Sequence, residues 1–423
     1  MDQTEALIIE TIDRHREEII EFARDIYSHA ELGYKEFQTS GKFVKKMEQL
    51  GLRTEKGFAI TGVKAYLNED KKENASLALL GELDALRIPE HAFANPETNA
   101  AHCCGHHAQM AGVFGAALAL TVPEIAEKLD GQVVFFATPA EEYGEIEFKN
   151  QLREQGKIRY GGGKCELLRI GAFDDIDLCL THHIRPGNEI LVGSGTGNGF
   201  VSKVIRVLGK ASHAAGAPEK GVNALSAASL GLQALGLNRE TFRDEDCVRV
   251  HPIITKGGNL VNVIPDEVVV ETLVRGKTIE AFTDAAKKTD RSFKAGAIAM
   301  GAKVEISTLP GYLPTLAEEA LPELKHAAEI SASDIPVIEA SGHAGGSTDV
   351  GDVQHLMPVY TFNTGGVKGG LHQIDFEVTD EEEAYIVTAK MFALAAYGLL
   401  KEKAQRSREL VDQYEPVFKN SAE

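Results

Sequence analysis

"GSGTGNGFVSKVIRVLG" (residues 193–209) joins a glycine-rich stretch to a run that alternates apolar with polar residues. Glycines at 193, 195, 197 and 199 end whatever pattern precedes them. The run from Phe200 then reads as a strand buried on one face. Beyond it come a helical pattern (221–236), strand-like "DCVRVHPII" (246–254) and "DEVVVETLVRG" (266–276), a second helix (278–300) and "KVEIST" (303–308). Strand, helix, strand, strand, helix, strand is the ferredoxin-like plan. Upstream the texture differs. Apolar strands "TGVKAYL" (61–67), "SLALLGELDAL" (76–86), "GQVVFFATPAEE" (131–142) and "IDLCLTHHIRPG" (176–187) alternate with helices such as 109–122, and most end in polar clusters. That alternation predicts an α/β sheet whose site lies at its carboxyl edge. After "LPGYLPT" (309–315) the α/β texture returns. The expected organisation is one α/β domain over 1–195 and 310–423, interrupted by a small α+β domain over 196–309.

The composition bounds the function. With 423 residues the chain suits two or three domains at about 150 residues each. A hydrophobic share of 43% and a charged share of 25% are those of a globular enzyme. The 44 basic and 63 acidic residues leave a net charge of −19, a surface that repels phosphate backbones and anionic lipid. The expected partner is a small-molecule substrate, with no nucleic acid and no membrane. The amino-terminal stretch has no basic segment followed by an apolar core, and no apolar run approaches the roughly 20 residues of a membrane span. Five scattered cysteines suit reduced thiols, and a Cys103–Cys104 disulfide between neighbours would be strained. A cytoplasmic location is expected.

The chemistry concentrates where strands end. "AHCCGHHAQM" (101–110) sets Cys104 and His106 either side of Gly105, which lets the backbone bend both toward one point. Alone, this motif is as readily a polar turn. In "TPAEEYG" (138–144), Glu141 and Glu142 are neighbours, and neighbours in extended chain point opposite ways. One carboxylate is then free to ligate a metal while the other takes a proton; the plainer reading is a surface pair. His182 and His183 close an apolar strand, and His372 follows a glycine-rich turn in "GGLHQIDF" (369–376). A metal centre needs three or four N, S or O donors around one point, and it explains all four loops together.

Read in order, Glu31-Leu32-Gly33, "GELDAL" (81–86), "CGH" (104–106), "PAEE" (139–142), His183 with Pro186, "GKASHAAGAPEKGVNAL" (209–225), "NVIPDE" (262–267), "GGSTDVGDV" (345–353) and "LHQIDF" (371–376) resemble the metal-dependent amidohydrolase and carboxypeptidase family. That family includes aminoacylase-like enzymes, indole-acetyl-amino-acid hydrolases and aminobenzoyl-glutamate hydrolase. The resemblance runs over nearly the whole chain. It implies a mixed-sheet, metallopeptidase-like catalytic α/β domain, an inserted ferredoxin-like dimerisation or lid domain, and one or two divalent ions, manganese or zinc. It also implies a homodimer or higher homo-oligomer. Cys104, His106, Glu142, His183 and His372 match the family's metal ligands, and Glu141 its general base. His213 matches a histidine that reaches the partner subunit's site, Asn262 and Arg275 match substrate-holding positions, and Asp84 an acidic residue that orients the metal shell.

Four positions depart from the family. His107 stands where Asp or Asn is usual, Arg87 replaces a proline, the histidine before x-x-P is doubled as His182-His183, and Arg185 lies between them and the proline. His107 and Arg185 are expected as substrate contacts; His107 and His182 read also as additional metal ligands, and a buried supporting role or plain exposure weighs equally. The expected activity is hydrolysis of a C–N bond by a metal-activated water, in the amide of an N-acyl or aminobenzoyl amino acid or a dipeptide. One alternative is hydrolytic deamination of an electron-poor aromatic amine, as in 5-nitroanthranilate aminohydrolase. Another is a non-catalytic, metal-bound binding module, against which Glu141 speaks because binding needs no base.

Overall fold

Strands Ser76–Glu82, Gln132–Thr138 and Leu178–Ile184 are built from apolar residues nearly throughout, and almost every position is buried. In the computed structural model, which describes residues 1–420, they form the middle of an eight-stranded mixed sheet. Together with Val359–Thr364 they run parallel, the arrangement expected of strands covered on both faces. The antiparallel pair Arg53–Phe58 and Gly62–Leu67 extends one side, and Ile190–Val192 with Val337–Glu339 the other. Glu82 lies opposite Thr138 and His183 opposite Asn363, so the carboxyl ends of the parallel strands emerge at one edge.

Helix His106–Leu120 is buried over its whole length and packs against the carboxyl-terminal helix Thr388–Gln413. Glycines permit the approach: a Cβ on Gly112 would lie 2.4 Å from Thr388 Cγ2, and one on Gly115 2.5 Å from Ala389 Cβ. The run Glu382–Gln413 is the one helix among the described residues apolar and long enough to cross a membrane, but 89% of its apolar window is buried inside the fold. The amino-terminal stretch forms two helices, Gln3–Arg14 and Arg16–Ser28, divided at His15. All five cysteines are free thiols.

Contacts divide the chain into two units: Met1–Gly195 with Leu316–Gly342 and the chain from Asp352 on, and Thr196–Thr315 with His343–Gly351. The second is an antiparallel sheet in the order Arg249–Val250, Glu267–Gly276, Gly199–Leu208, Lys303–Pro310, with Ile253–Lys256 also paired to Glu267–Gly276. Helices Ala224–Asn238 and Ile279–Ala299 cover it, closing a core of Ile205, Val207, Ala228, Val268, Val270 and Phe293. The second unit runs six residues past the expected 309, because the Phe200 N–H donates to the Tyr312 carbonyl (2.9 Å) and the two rings pack together. It also gains 343–351, since His343–Ala344 pairs in parallel with Thr196–Gly197. The fold is thus α/β with a large mixed sheet and an inserted α+β unit.

Candidate metal centre

Gly105 begins the centre. Its φ of +84° is a left-handed value, and a Cβ there would meet Ile184 Cγ2 at 2.0 Å, so only glycine fits between Cys104 and His106. The turn aims Cys104 Sγ to 3.3 Å from His183 Nε2 and 3.2 Å from His372 Nε2. His372 is itself left-handed (φ +63°), with its N–H donated to the Cys103 carbonyl at 2.9 Å, and its Nε2 lies 3.2 Å from Glu142 Oε1. Two donor triples result, Cys104–His106–His183 and Cys104–Glu142–His372, each with its donor atoms within 4.8 Å of one another. They share Cys104. A third, Glu82–His106–Glu141, shares His106.

The hydrogen bonds fix which imidazole nitrogens face inward. His106 Nδ1 donates to the Asp84 carbonyl at 2.8 Å, and His183 Nδ1 to the Ile184 carbonyl at 2.7 Å. A carbonyl only accepts, so each Nδ1 keeps its hydrogen there and Nε2 is the nitrogen turned toward the centre. His106 Nε2 is buried without a well-formed hydrogen bond, facing Glu82 Oε2 at 3.1 Å; Glu142 Oε1 is likewise buried and unsatisfied. Burial works to lower His106, yet Glu82 and Asp84 hold it well above its usual range, so the carboxylates favour positive charge at this point, as a cation would supply. The titration behaviour agrees with a place for positive charge. Burial works to raise Glu142, yet His372 and His106 hold it below the usual carboxylate range. Burial and Glu142 push the Cys104 thiol well up, a direction that a nearby cation reverses. Burial and His106 lower His183, keeping its ring neutral and able to ligate.

The two glutamates are held by their backbone. Asp84 accepts the Glu141 N–H at 3.1 Å through Oδ1 and the Glu142 N–H at 2.9 Å through Oδ2. Ala140 takes φ +50°, its N–H bound by Glu36 Oε1 at 2.8 Å and its carbonyl by the Gly163 N–H at 3.0 Å. Lys149 Nζ donates to the Glu142 carbonyl at 2.6 Å. Glu141 Oε2 thereby comes to 4.0 Å from His106 Nε2, while Glu142 turns to His372.

Three buried residues here escaped the sequence reading. Glu82 pairs with Lys164 at 2.5 Å and accepts from Gln109 Nε2 at 2.8 Å, with Glu82 and Lys164 almost wholly enclosed. Glu36 is fully buried. A signal existed only for Glu82, a carboxylate closing an apolar strand two residues before Asp84. Lys164 and Glu36 lie in stretches that read as surface.

The extra histidines go elsewhere. His107, expected as a substrate contact, is 0% exposed, with its ring 4.7 Å from Tyr27, 5.4 Å from His102 and 5.7 Å from Tyr385. It offers no surface on which a substrate rests, because one step along a helix turns a side chain about 100° from its neighbour His106. Burial and His106 push it down to about 3. His182 bonds Thr364 Oγ1 at 2.8 Å and packs on Phe362. Arg185 pairs with Glu189 at 2.6 Å, and Arg87 is exposed.

In the second unit, His213 is exposed, and its Nδ1 accepts N–H bonds from Gly216 (2.9 Å) and Ala215 (3.2 Å), which puts the ring hydrogen on Nε2. A bridge between His213 and Val263 sets Asn262, also exposed, on the neighbouring loop. Arg275 donates to Ser347 Oγ at 3.2 Å and stands over the Phe200 ring.

The family described as Peptidase family M20/M25/M40 matches residues 78–397. The chain is 27% identical to the Xaa-Arg dipeptidase of Mus musculus over 408 residues, covering 93% of this chain and 85% of that protein. It is 25% identical to the N-acetyl-L-cysteine deacetylase of Bacillus subtilis (strain 168), over 92% of this chain and 90% of the other. Among solved structures, a dinuclear metal binding peptidase from the M20 family of Bacillus subtilis superposes with a TM-score of 0.64 at 24% identity, covering 92% of this chain and 99% of that one.

Proposed function

This chain belongs to peptidase family M20/M25/M40, and from that premise we propose that it hydrolyses the amide of a small N-acyl or aminobenzoyl amino acid, or of a dipeptide, at Cys104, His106, Glu142, His183 and His372. It is a metal-dependent hydrolase of C–N bonds. The observation that carries the reading is the pair of donor triples sharing Cys104, with a backbone-clamped Glu141 beside them. The named activities of the relatives, a dipeptidase and an N-acyl deacetylase, give the substrate class.

A divalent ion, when bound, supplies Lewis acidity and a more acidic water. The thiolate favours zinc, while imidazole and carboxylate also accept manganese, and the two triples give room for one ion or two. Glu141 Oε2 takes a proton from the attacking water and returns it to the departing nitrogen, the work of a general acid–base. Asp84 keeps Glu141 and Glu142 aimed apart. The resemblance gives His213 the partner subunit's oxyanion, which its Nε2–H can donate to, and gives Asn262 and Arg275 the substrate's polar end. A homodimer follows from that assignment.

Product analysis in oxygen-18 water tests the reading, with manganese- or zinc-loaded protein offered N-acyl amino acids, aminobenzoyl-glutamate, dipeptides and nitro-substituted anthranilates. Label in a new carboxylate with release of an amine is expected. Label in a phenol with release of ammonia would replace amide hydrolysis by aromatic deamination. Ligand retention without turnover of any of them would leave only a binding module.

A further inference from the structure

We infer that Glu36 is a positioning residue for the reaction: by holding the Ala140 N–H it keeps Glu141 and Glu142 aimed at their separate tasks. This rests on the roles proposed above for those two glutamates. Glu36 is fully buried, an unusual place for a carboxylate, and it sits at the start of helix Phe37–Gln49. Its two oxygens are committed: Oε1 accepts from the Ala140 N–H at 2.8 Å and Oε2 from Thr61 Oγ1 at 2.7 Å. Ala140 is where a hold is needed. At φ +50° it occupies a region that an L-residue with a Cβ leaves unless its surroundings insist. A return to the ordinary right-handed or extended region would swing the two residues that follow.

The turn that carries Glu36 is docked for this purpose. The Glu31 carboxylate accepts the N–H groups of Gln38 (3.1 Å) and Thr39 (2.8 Å), fixing the helix start. Gly33 lies so close to the clamped loop that a Cβ on it would be 3.1 Å from Ala140 Cα and 3.3 Å from Asp84 Oδ2. The Ala85 N–H donates to the Glu31 carbonyl at 2.8 Å, tying the same turn to the Asp84 strand end. Glu36 and Asp84 thus bind three consecutive N–H groups, those of residues 140, 141 and 142. Asp84 anchors the glutamates and the Gly163 N–H holds the Ala140 carbonyl, which leaves Glu36 as the group that takes the Ala140 N–H. Burial first, and the charge of Asp84 second, push Glu36 up to about 7, which shows how closely the two carboxyls share the loop.

The test compares wild type with Glu36→Ala, Glu36→Gln and the double variant Glu36→Ala/Ala140→Gly. Two readouts are taken: the dissociation constant for Mn2+ of the metal-free protein by calorimetric titration, and kcat and KM on an N-acetyl amino acid. Glu36→Ala should weaken Mn2+ binding and lower kcat by about 10–100-fold, the usual size for a group supporting a metal site, with KM within about 3-fold. Glu36→Gln, whose amide oxygen still accepts the Ala140 N–H, should stay within about 3-fold of wild type on both. The added glycine takes φ +50° without a Cβ and should recover part of both losses. If Glu36→Ala does not fold, Thr61→Val, which frees the Glu36 carboxylate without emptying its pocket, should show a loss of a few-fold on both readouts. The inference is overturned if a folded Glu36→Ala (or, in its place, Thr61→Val) binds Mn2+ and turns over like wild type, or if glycine at 140 restores nothing. A wild-type protein that takes up no divalent ion would overturn the metal reading beneath it, and this inference with it.

Discussion

At the scale of the residue, the centre is made by a few positions whose neighbours leave no choice. Gly105 is one. Alanine there would combine a left-handed φ with a Cβ 2.0 Å from Ile184 Cγ2, so Gly105→Ala should cost about 2 kcal/mol or more in thermal unfolding and displace Cys104 and His106 together. An unchanged melting temperature would contradict the packing described. Glu141 separates binding from catalysis. Glu141→Gln retains the Asp84-held backbone and the five donors, so Mn2+ uptake should persist while kcat falls by about 10²–10⁴-fold. Turnover that survives the change would remove Glu141 from the role of base. Cys104, His106, Glu142, His183 and His372 could be picked out as candidates because each follows an apolar strand, flanks Gly105 or comes after a glycine-rich turn. Glu36 could not: "YKEFQTS" (34–40) has the look of a solvated helix start, and only the tertiary approach of Ala140 and Thr61 turns its glutamate inward. His107 misled for the matching reason, since nothing local distinguishes a histidine facing the cluster from one a helical step away.

At the scale of the element, the central strands were foreseeable from apolar runs, while their order in the sheet and the connections were not. Residues 310–315 and 343–351 read as part of the larger domain, and tertiary contacts such as Phe200–Tyr312, His343–Thr196 and Arg275–Ser347 assign them to the other unit. Where the chain re-enters the sheet unit at Leu316, Glu318 anchors the segment: its N–H donates to the Ser194 carbonyl at 3.0 Å, and its carboxyl accepts from the Thr361 N–H and from Gln354 Nε2. The residue is half-buried overall but its carboxyl is enclosed, and that enclosure pushes it up to about 8. The folded form then keeps the carboxyl neutral through a range in which the unfolded chain, titrating near 4.5, ionises it. Stability is favoured below about pH 4.5 and lost as pH rises toward 8. Glu318→Gln should flatten that fall, so the variant gains on wild type in melting temperature at pH 8 relative to pH 5. An equal difference at both pH values would show that the enclosure does not govern its proton.

At the scale of the whole molecule, the proposed assignment of His213 to the partner subunit makes activity a property of two chains. Glu141→Gln and His213→Ala homo-oligomers should each be nearly inactive. Mixing them after reversible dissociation should restore activity, because one of the two centres in a hybrid has both residues intact. Activity that stays at the level of the parents would place His213 outside the reaction. The two units themselves are joined at four points along the sequence, 195/196, 315/316, 342/343 and 351/352.

That threading has a consequence for the chain as it is made. Leu178–Ile184 pairs with Val359–Thr364, and Cys104 meets His372, so the central sheet and the donor set both wait for residues made much later than their partners. A nascent polypeptide on the ribosome carries Glu141, the proposed base, and four of the five candidate donors, while the fifth is still being decoded. The inserted unit can complete most of its own sheet before then, since its strands lie within 199–310. Until His372 has cleared the exit tunnel the enzyme holds its hydrolytic apparatus in pieces, and translation itself becomes the timer of its activity.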